Sequence, residues 1–309
     1  MAAMDTAAQA GHSRLQTDIS DWSRALRLKH WAKNLLVFVP PILAADPSLA
    51  IFMQTALLFV LFGTLASATY LVNDLMDLAA DRAHPEKRNR PLAAGRITLR
   101  LGMMASVGLL AGTAVAAAMW LRPAAAMVLA GYLIVTIAYS FHIKRRPVAD
   151  VLCLAGLLTL RILAGSFIAP TGVSPWLISF SFLFFLSLAQ VKRYAELHRV
   201  IGEGGRGIQS RGYDAADLPL LLATGVGSAF ASTVIFAIYL IQEQYPRQIY
   251  HNPYWLWAMM PILLGWLLRV WRRAVHGQMN EDPVLFALHD SVSLGMAGAV
   301  GLILVIAWL

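Results

Sequence analysis

Residues 49–81 read LAIFMQTALLFVLFGTLASATYLVNDLMDLAAD. From 49 to 72 nothing is charged, and the run is long enough to cross a bilayer as a helix, which takes about 20 residues. Asn73, Asp74, Asp77 and Asp81 follow at once. On a helix turning about 100° per residue, Asp77 and Asp81 fall on the same face as Asp74, and Asn73 joins them from one turn below Asp77. Three carboxylates on one face at a membrane edge repel unless a cation lies among them. An oxygen-only donor set of this kind suits Mg²⁺, which keeps several waters and bridges to substrate phosphates. Arg82, Lys87, Arg88 and Arg90 come next, with donors for those phosphates. A solvated helix end beside a basic loop is the plainer alternative, but such an end has no need to align its charges.

The rest of the chain has the character of that apolar run. Of 309 residues, 58% are hydrophobic and 14% charged, against about 25% charged in a soluble domain. Mean hydropathy is +0.61. An all-α polytopic membrane protein is expected, forming a single transmembrane domain over 1–309. The net charge of +8 would suit a nucleic-acid binder, but in a membrane protein basic residues set topology, so no nucleic-acid partner is expected. The single cysteine, Cys153, excludes an intrachain disulfide. Residues 1–21 are polar and small, without the apolar core of a signal peptide. They are expected to form a flexible cytoplasmic tail.

Nine membrane segments are expected: 31–45, 49–72, 98–121, 123–140, 151–169, 175–191, 218–241, 254–270 and 284–309. Pro40 and Pro41 must kink or end the first. Of the 25 basic residues, all but Arg122, Arg161 and Arg247 fall on alternate connections. The positive-inside rule makes that side cytoplasmic, with the N-terminus inside and Leu309 outside the cell (inner) membrane. Tyr245, Tyr250, Tyr254, Trp255 and Trp257 cluster near the outer connection 242–253 as an interfacial belt. Residues 202–207 read as a flexible cytoplasmic loop.

Other positions hold more charge than topology requires. Tyr139 and Lys144 end the fourth segment. Lys192, Arg193 and Glu196 end the sixth, where Lys192 and Glu196, four apart, also suit a plain intrahelical pair. Arg161 lies mid-segment, where an arginine costs at least about 2.5–3.5 kcal/mol and needs a partner. A bound anion is the expected partner, and a structural pair with an acidic residue such as Asp290 is the alternative. His289 and Asp290 are out of place in the ninth segment. At the chain's entry to the membrane, Lys29, Lys33 and Asn34 stand in a basic-aromatic stretch, 27–34, that suits a lipid phosphate or simple anchoring equally. The histidines are scattered singly and do not suggest zinc.

The pattern Asn73-Asp74-x-x-Asp77-x-x-x-Asp81, at the inner end of the second of nine helices, resembles the first aspartate-rich motif of the UbiA superfamily of intramembrane prenyltransferases. The resemblance covers nearly the whole chain. It implies nine helices around a central cavity, with Mg²⁺ and a diphosphate at the cytoplasmic side. Two departures stand out. Typical members carry a second acidic motif, Asp-x-x-x-Asp, after the sixth helix, where this chain has Lys192-Arg193-Tyr194-Ala195-Glu196. Aromatic-acceptor members show Tyr-x-x-x-Lys after the fourth, whereas Tyr139 and Lys144 are one residue further apart. With residues 27–34, 84–91 and 281–283, these departures resemble the decaprenyl-phosphate phosphoribosyltransferase branch.

That branch implies transfer of a 5-phosphoribosyl group from phosphoribosyl diphosphate to a polyprenyl phosphate, releasing diphosphate. Both substrates are anionic, which fits one metal cluster among many cations. The implied metal ligands are Asn73, Asp74, Asp77 and Asp81, with Arg161 and Lys192 beside them at the reacting groups. Lys29, Lys33, Asn34, Asn73, Arg82, Lys87, Arg88, Arg90, Tyr139, Lys144, Arg161, Lys192, Arg193 and Glu196 would bind substrate. Two other functions compete: prenyl transfer from a prenyl diphosphate to an aromatic or other acceptor, and an anion transporter with Arg161 in its pathway.

Overall fold

A computed structural model describes residues 19–84, 87–279 and 282–309. Most of the expected tail, and Pro85 and Glu281 of the branch motifs, lie outside the described residues. Where the tail can be compared, it ends sooner than expected: residues 19–25 are helical, and Asp21 is buried.

Among the described residues, eight helices are long and apolar enough to cross a membrane. Their α-helical parts are α1 Leu49–Met76, α2 Leu99–Trp120, α3 Pro123–Phe141, α4 Pro147–Ser166, α5 Pro175–Gly202, α6 Asp217–Tyr239 (within a span Asp217–Arg247), α7 Met259–Val275 (within a span Pro253–Val275) and α8 Ser291–Trp308. The protein is thus an all-α, multi-pass membrane protein; the only strands among the described residues are Gly207–Ile208 and Tyr213–Asp214, paired antiparallel.

The expected first segment differs in kind. It is a 3₁₀ helix, Leu28–Phe38, running into a short α-helix, Val39–Leu43. Pro40 and Pro41 stand in the first turn of the latter, where a missing N–H costs nothing. A 3₁₀ helix rises about 2.0 Å per residue, so these two pieces have a contour of about 30 Å with few residues.

Other boundaries moved for legible reasons. α5 continues well past residue 191, because Gln190, Lys192, Arg193 and Glu196 lower the hydropathy without breaking the helix. The last segment breaks at Asp290, separating Pro283–His289 from α8. Asp290 caps α8, accepting from Ser293 N and Oγ at 2.8 Å, and forms a double ion pair with Arg269 at 2.7 and 2.9 Å. This gives Asp290 a structural role and removes it as a partner for Arg161. The outer aromatics also divide: Tyr254 and Trp255 are exposed, as a belt requires, while Tyr250 is buried and donates to the Leu43 carbonyl.

The contacts gather into two units. One joins residues up to Asn34 with Phe59–Leu121; the other joins Leu35–Leu58 with Arg122–Leu309. The first has a small core of Ala25, Leu71, Leu92 and Ile97, and a hydroxyl contact of 2.8 Å between Thr64 and Thr113 ties α1 to α2. The second has the large core, with Leu188, Val191, Leu267, Val270 and Trp271 at its centre. There Gly225 lets α6 meet α7: a Cβ on it would lie 2.1 Å from the Trp271 ring.

Candidate active site

Each unit carries a polar cluster that gathers expected site residues or their partners. In the first, the turn after α1 sets the geometry. The helix does not run unbroken through the acidic stretch. Asp77 leaves helical geometry (φ −87°, ψ 9°), and a short helix, Leu78–Ala83, restarts after it. The three carboxylates therefore do not share one face as expected: Asp74 and Asp81 are buried, each side chain 4% exposed, while Asp77 is exposed.

Two arginines supply the positive charge that the buried pair needs. Arg90 Nη1 lies 2.9 Å from Asp74 Oδ1 and 2.6 Å from Asp81 Oδ2, bridging them with one nitrogen. Arg27 Nη2 adds a contact of 2.7 Å to Asp74 Oδ1. Arg27 was not singled out from the sequence, and its place is built with care. Its guanidinium stacks over the Tyr70 ring at 4.3 Å. Its backbone sits at φ +51°, in the left-handed region that side chains avoid. The following turns are pinned to α1: Trp31 Nε1 donates to Ser67 Oγ at 3.0 Å, and Ser67 donates to the Leu26 carbonyl at 2.7 Å. Gly63 makes this possible, since a Cβ there would lie 2.5 Å from the Trp31 ring.

The remaining expected residues of this unit differ in exposure and partners. Arg82 Nε donates to the Ala93 carbonyl. Lys87 and Arg88 are exposed on the turn Lys87–Asn89, and Lys29 is exposed. Asn73 and Lys33 are half-buried, and Asn34 is buried. Arg96 instead binds Asp21 at 2.8 Å and the Asn89 carbonyl at 2.6 Å, fastening the Arg90 turn to the entry helix.

The cluster of the second unit centres on Asp150, a residue the sequence reading passed over. It sits in the first turn of α4 and is fully buried. Arg193, 1% exposed, binds both its oxygens, through Nε and, at 3.0 Å, through Nη2. Tyr139 donates to Asp150 Oδ1 at 2.8 Å. Arg211 Nη1 reaches the same oxygen at 3.4 Å. Tyr213 donates to the Pro147 carbonyl at 2.8 Å, and Asp150 Oδ2 lies 3.4 Å away. Burial, reinforced by Asp150, pushes the Tyr213 phenol well above its ordinary value, so it stays a donor.

The stretch after residue 202 turns through exposed residues 203–206 into the small hairpin that follows. Gly204 and Gly212 take the positive φ that its turns need, and the small hairpin delivers Arg211 and Tyr213 to Asp150. Arg193, Tyr139 and Glu196, expected to meet substrate, are engaged with one another: Glu196 pairs with Arg193 and, at 3.7 Å, with Arg211. Lys192 is the half-exposed cation of the group. Its ammonium lies 2.9 Å from Asp282 rather than on Glu196, so the intrahelical pair is not formed. Lys144 is half-buried on the turn Ile143–Arg145.

Arg161 is buried in α4. It donates to the Leu157 carbonyl and to the Tyr132 hydroxyl, with its guanidinium 4.7 Å from the Tyr132 ring centre. This membrane arginine thus meets a carbonyl, a hydroxyl and an aromatic face, and a cation on such a face gains about 2 kcal/mol when desolvated.

Among the described residues, no three Asp, Glu, His or Cys side chains gather as a ready metal cage. Asp74 and Asp81 nonetheless converge on one positively charged nitrogen. Two carboxylate oxygens around a cation position fit Mg²⁺, which commonly binds through one or two carboxylates plus substrate phosphates.

The family model described as the UbiA prenyltransferase family matches residues 35–307. The uncharacterized protein y4nM of Sinorhizobium fredii is 42% identical over 277 residues, which is 89% of this chain; the chain spans about half (53%) of y4nM's own length. The decaprenyl-phosphate phosphoribosyltransferase of Mycobacterium tuberculosis is 30% identical, covering 87% of this chain and 88% of that one. A solved structure of a UbiA homologue from Archaeoglobus fulgidus bound to GPP and Mg²⁺ superposes with a TM-score of 0.64 at 16% identity. It covers 93% of this chain and 98% of the homologue, a likeness of fold.

Proposed function

We propose, given that the chain belongs to the UbiA prenyltransferase family of membrane transferases, that it transfers a 5-phosphoribosyl group from phosphoribosyl diphosphate to a polyprenyl phosphate, with Mg²⁺. The acceptor's phosphate oxygen bonds to the anomeric carbon while the carbon–oxygen bond to diphosphate breaks, and diphosphate leaves. Asp74 and Asp81 would hold the metal, and Asp77 and Asn73 are the further oxygen donors of the same stretch that could join them. When bound, Mg²⁺ neutralises charge on the leaving diphosphate. Lys87, Arg88 and Arg90 bind the phosphates of the donor, and Arg82, Lys144, Lys192 and Arg161 add cationic character for two anionic substrates. Lys29, Lys33 and Asn34 receive the lipid phosphate. Tyr139, Arg193 and Glu196 act by holding the Lys192 turn in place. The acceptor phosphate is already ionised, so no general base is required.

One observation carries this choice over prenyl transfer. At the position of a second acidic motif, α5 offers Lys192 and a Glu196 carboxylate already taken by Arg193 and Arg211. A second metal finds no pair of free carboxylates there, whereas an anionic co-substrate finds a half-exposed ammonium that it takes over from Asp282. The phosphoribosyltransferase relative supports the same reading. The metal-bearing faces are proposed to be cytoplasmic and the chain a single intramembrane domain of the inner membrane, on the charge asymmetry of its connections.

The test is direct. Purified protein with Mg²⁺, labelled phosphoribosyl diphosphate and a polyprenyl phosphate is expected to yield labelled lipid. No labelled lipid, together with product from a prenyl diphosphate and an aromatic acceptor, would overturn the assignment in favour of prenyl transfer.

A further inference from the structure

In the first unit, two carboxylates and two guanidinium groups already cancel. Asp74 and Asp81 are almost fully buried, and Arg27 and Arg90 neutralise them at 2.6–2.9 Å. A dication arriving alone would leave the cluster with excess positive charge in a half-buried site. An anionic donor arriving alone would compete with those buried carboxylates for the same guanidinium charge. Both states carry uncompensated charge where compensation is expensive. A metal and an anion arriving together offset one another's charge.

The two arginines differ in freedom. Arg27 is held by the Tyr70 face, by its left-handed backbone, and by the Trp31–Ser67–Leu26 anchors beside it. Arg90 lies on the connection between helices with its side chain 30% exposed. Among the described residues its side chain contacts only Asp74 and Asp81, both through Nη1. That single nitrogen lies between the two carboxylates, where a small cation bound by both would sit.

We propose that Arg90 is an internal stand-in for the metal, and that it exchanges the carboxylates for the donor's phosphates when metal and donor bind, so that neither binds well without the other. This rests on the reading of Asp74 and Asp81 as the metal-holding pair. It assigns Arg90 two successive partners and makes metal and donor affinities reciprocally coupled, each raising the other by the same factor. The coupling also keeps the cluster from capturing divalent ions when no donor is present.

The experiment uses the full chain in detergent or nanodiscs, with Mn²⁺ as the probe. Loss of the free-ion paramagnetic signal gives Mn²⁺ affinity, with and without phosphoribosyl diphosphate, corrected for Mn²⁺ bound by the donor in protein-free controls. In the wild type the donor is expected to tighten Mn²⁺ binding at least tenfold. In Arg90→Gln, Mn²⁺ alone is expected to bind at least tenfold more tightly than in the wild type, and the coupling should shrink. If Arg90→Gln weakens donor binding but leaves the affinity for Mn²⁺ alone unchanged, Arg90 is only a phosphate ligand and the exchange is overturned. Should Arg90→Gln prove unstable, its melting temperature with and without Mn²⁺ decides: a larger metal-induced rise than in the wild type supports the stand-in, and an equal or smaller one overturns it. If the wild type binds no phosphoribosyl diphosphate but shows the same coupling with a prenyl diphosphate, the exchange stands and the proposed donor falls.

Discussion

Asp150→Asn is expected to be the most destabilising conservative substitution at the charged helix ends of this protein. The carboxylate is fully buried and takes hydrogen bonds from two sides of one guanidinium that is itself 1% exposed. Removing one partner of such a pair costs about 3–5 kcal/mol, because the other charge remains buried. Arg193 retains Glu196, whose side chain is 30% exposed, so the lower end, about 3 kcal/mol, is the figure to expect. For a chain of this size that corresponds to a fall in melting temperature of about 5 °C. The protein supplies its own reporter: Cys153, the single cysteine, lies half-buried one turn after Asp150, and a thiol-reactive fluorophore will follow its exposure on heating. Replacing the pair together, with Asp150→Leu and Arg193→Met, is expected to recover much of the loss. A shift below about 1 °C for Asp150→Asn, or a double variant no better than the single, would show that the pair is not what fastens these helix ends.

The other predictions probe different links. Asp77→Asn should abolish Mg²⁺-dependent transfer while leaving the melting temperature unchanged, since the exposed carboxylate has no ion-pair partner among the described residues; full activity would remove it from the metal ligands. Asp74→Asn should lose activity and also stability, because it leaves Arg27 unpaired. Gly63→Ala should cost about 1–3 kcal/mol by overpacking against Trp31, measurable by the same fluorophore. Asp290→Asn gives a pH signature. The Arg269 hydrogen bonds, helped by Ser293, hold the Asp290 carboxyl below the ordinary carboxylate range. A depressed pKa contributes stability that is fully present above the unfolded value of about 3.9 and is lost only as pH falls below it. The destabilisation by Asp290→Asn should therefore be equal at pH 8 and pH 5 and shrink below about pH 4; a penalty that already fades between pH 8 and pH 5 would refute it.

Much of the architecture was legible because a bilayer imposes a simple demand, about 20 predominantly apolar residues per crossing, and α1 to α4 match the expected segments within a few residues. Where polar side chains ride on an unbroken helix, as at the end of α5, hydropathy marks the edge of the apolar layer and not the end of the helix. The acidic stretch was legible as a place but not as a shape. Its face depended on an unbroken helix, and the break at Asp77 turns one carboxylate outward. Counter-ions were the least legible part. Arg27 lies 47 residues from Asp74, and Arg193 lies 43 from Asp150; periodicity reports which side of a helix is apolar, not which distant charge will meet it. One signal existed: a buried carboxylate at the end of an uncharged run must have a cation, and Asp150, at the mouth of α4, satisfied that description as well as Asp74 did.

The 3₁₀ entry segment has a consequence for how this protein tolerates change in length. With three residues per turn, side chains three apart eclipse. Trp31, Asn34 and Val37 form one such column, in which Asn34 and Val37 are buried and Trp31 half-buried. Losing or gaining a single residue would turn everything beyond it by about 120° and swap that column for its neighbour. Losing three would shorten the segment by about 6 Å yet return every side chain to its own bearing. Natural or engineered variation in the length of this stretch should therefore come in multiples of three, a rule that none of the α-helical crossings obeys.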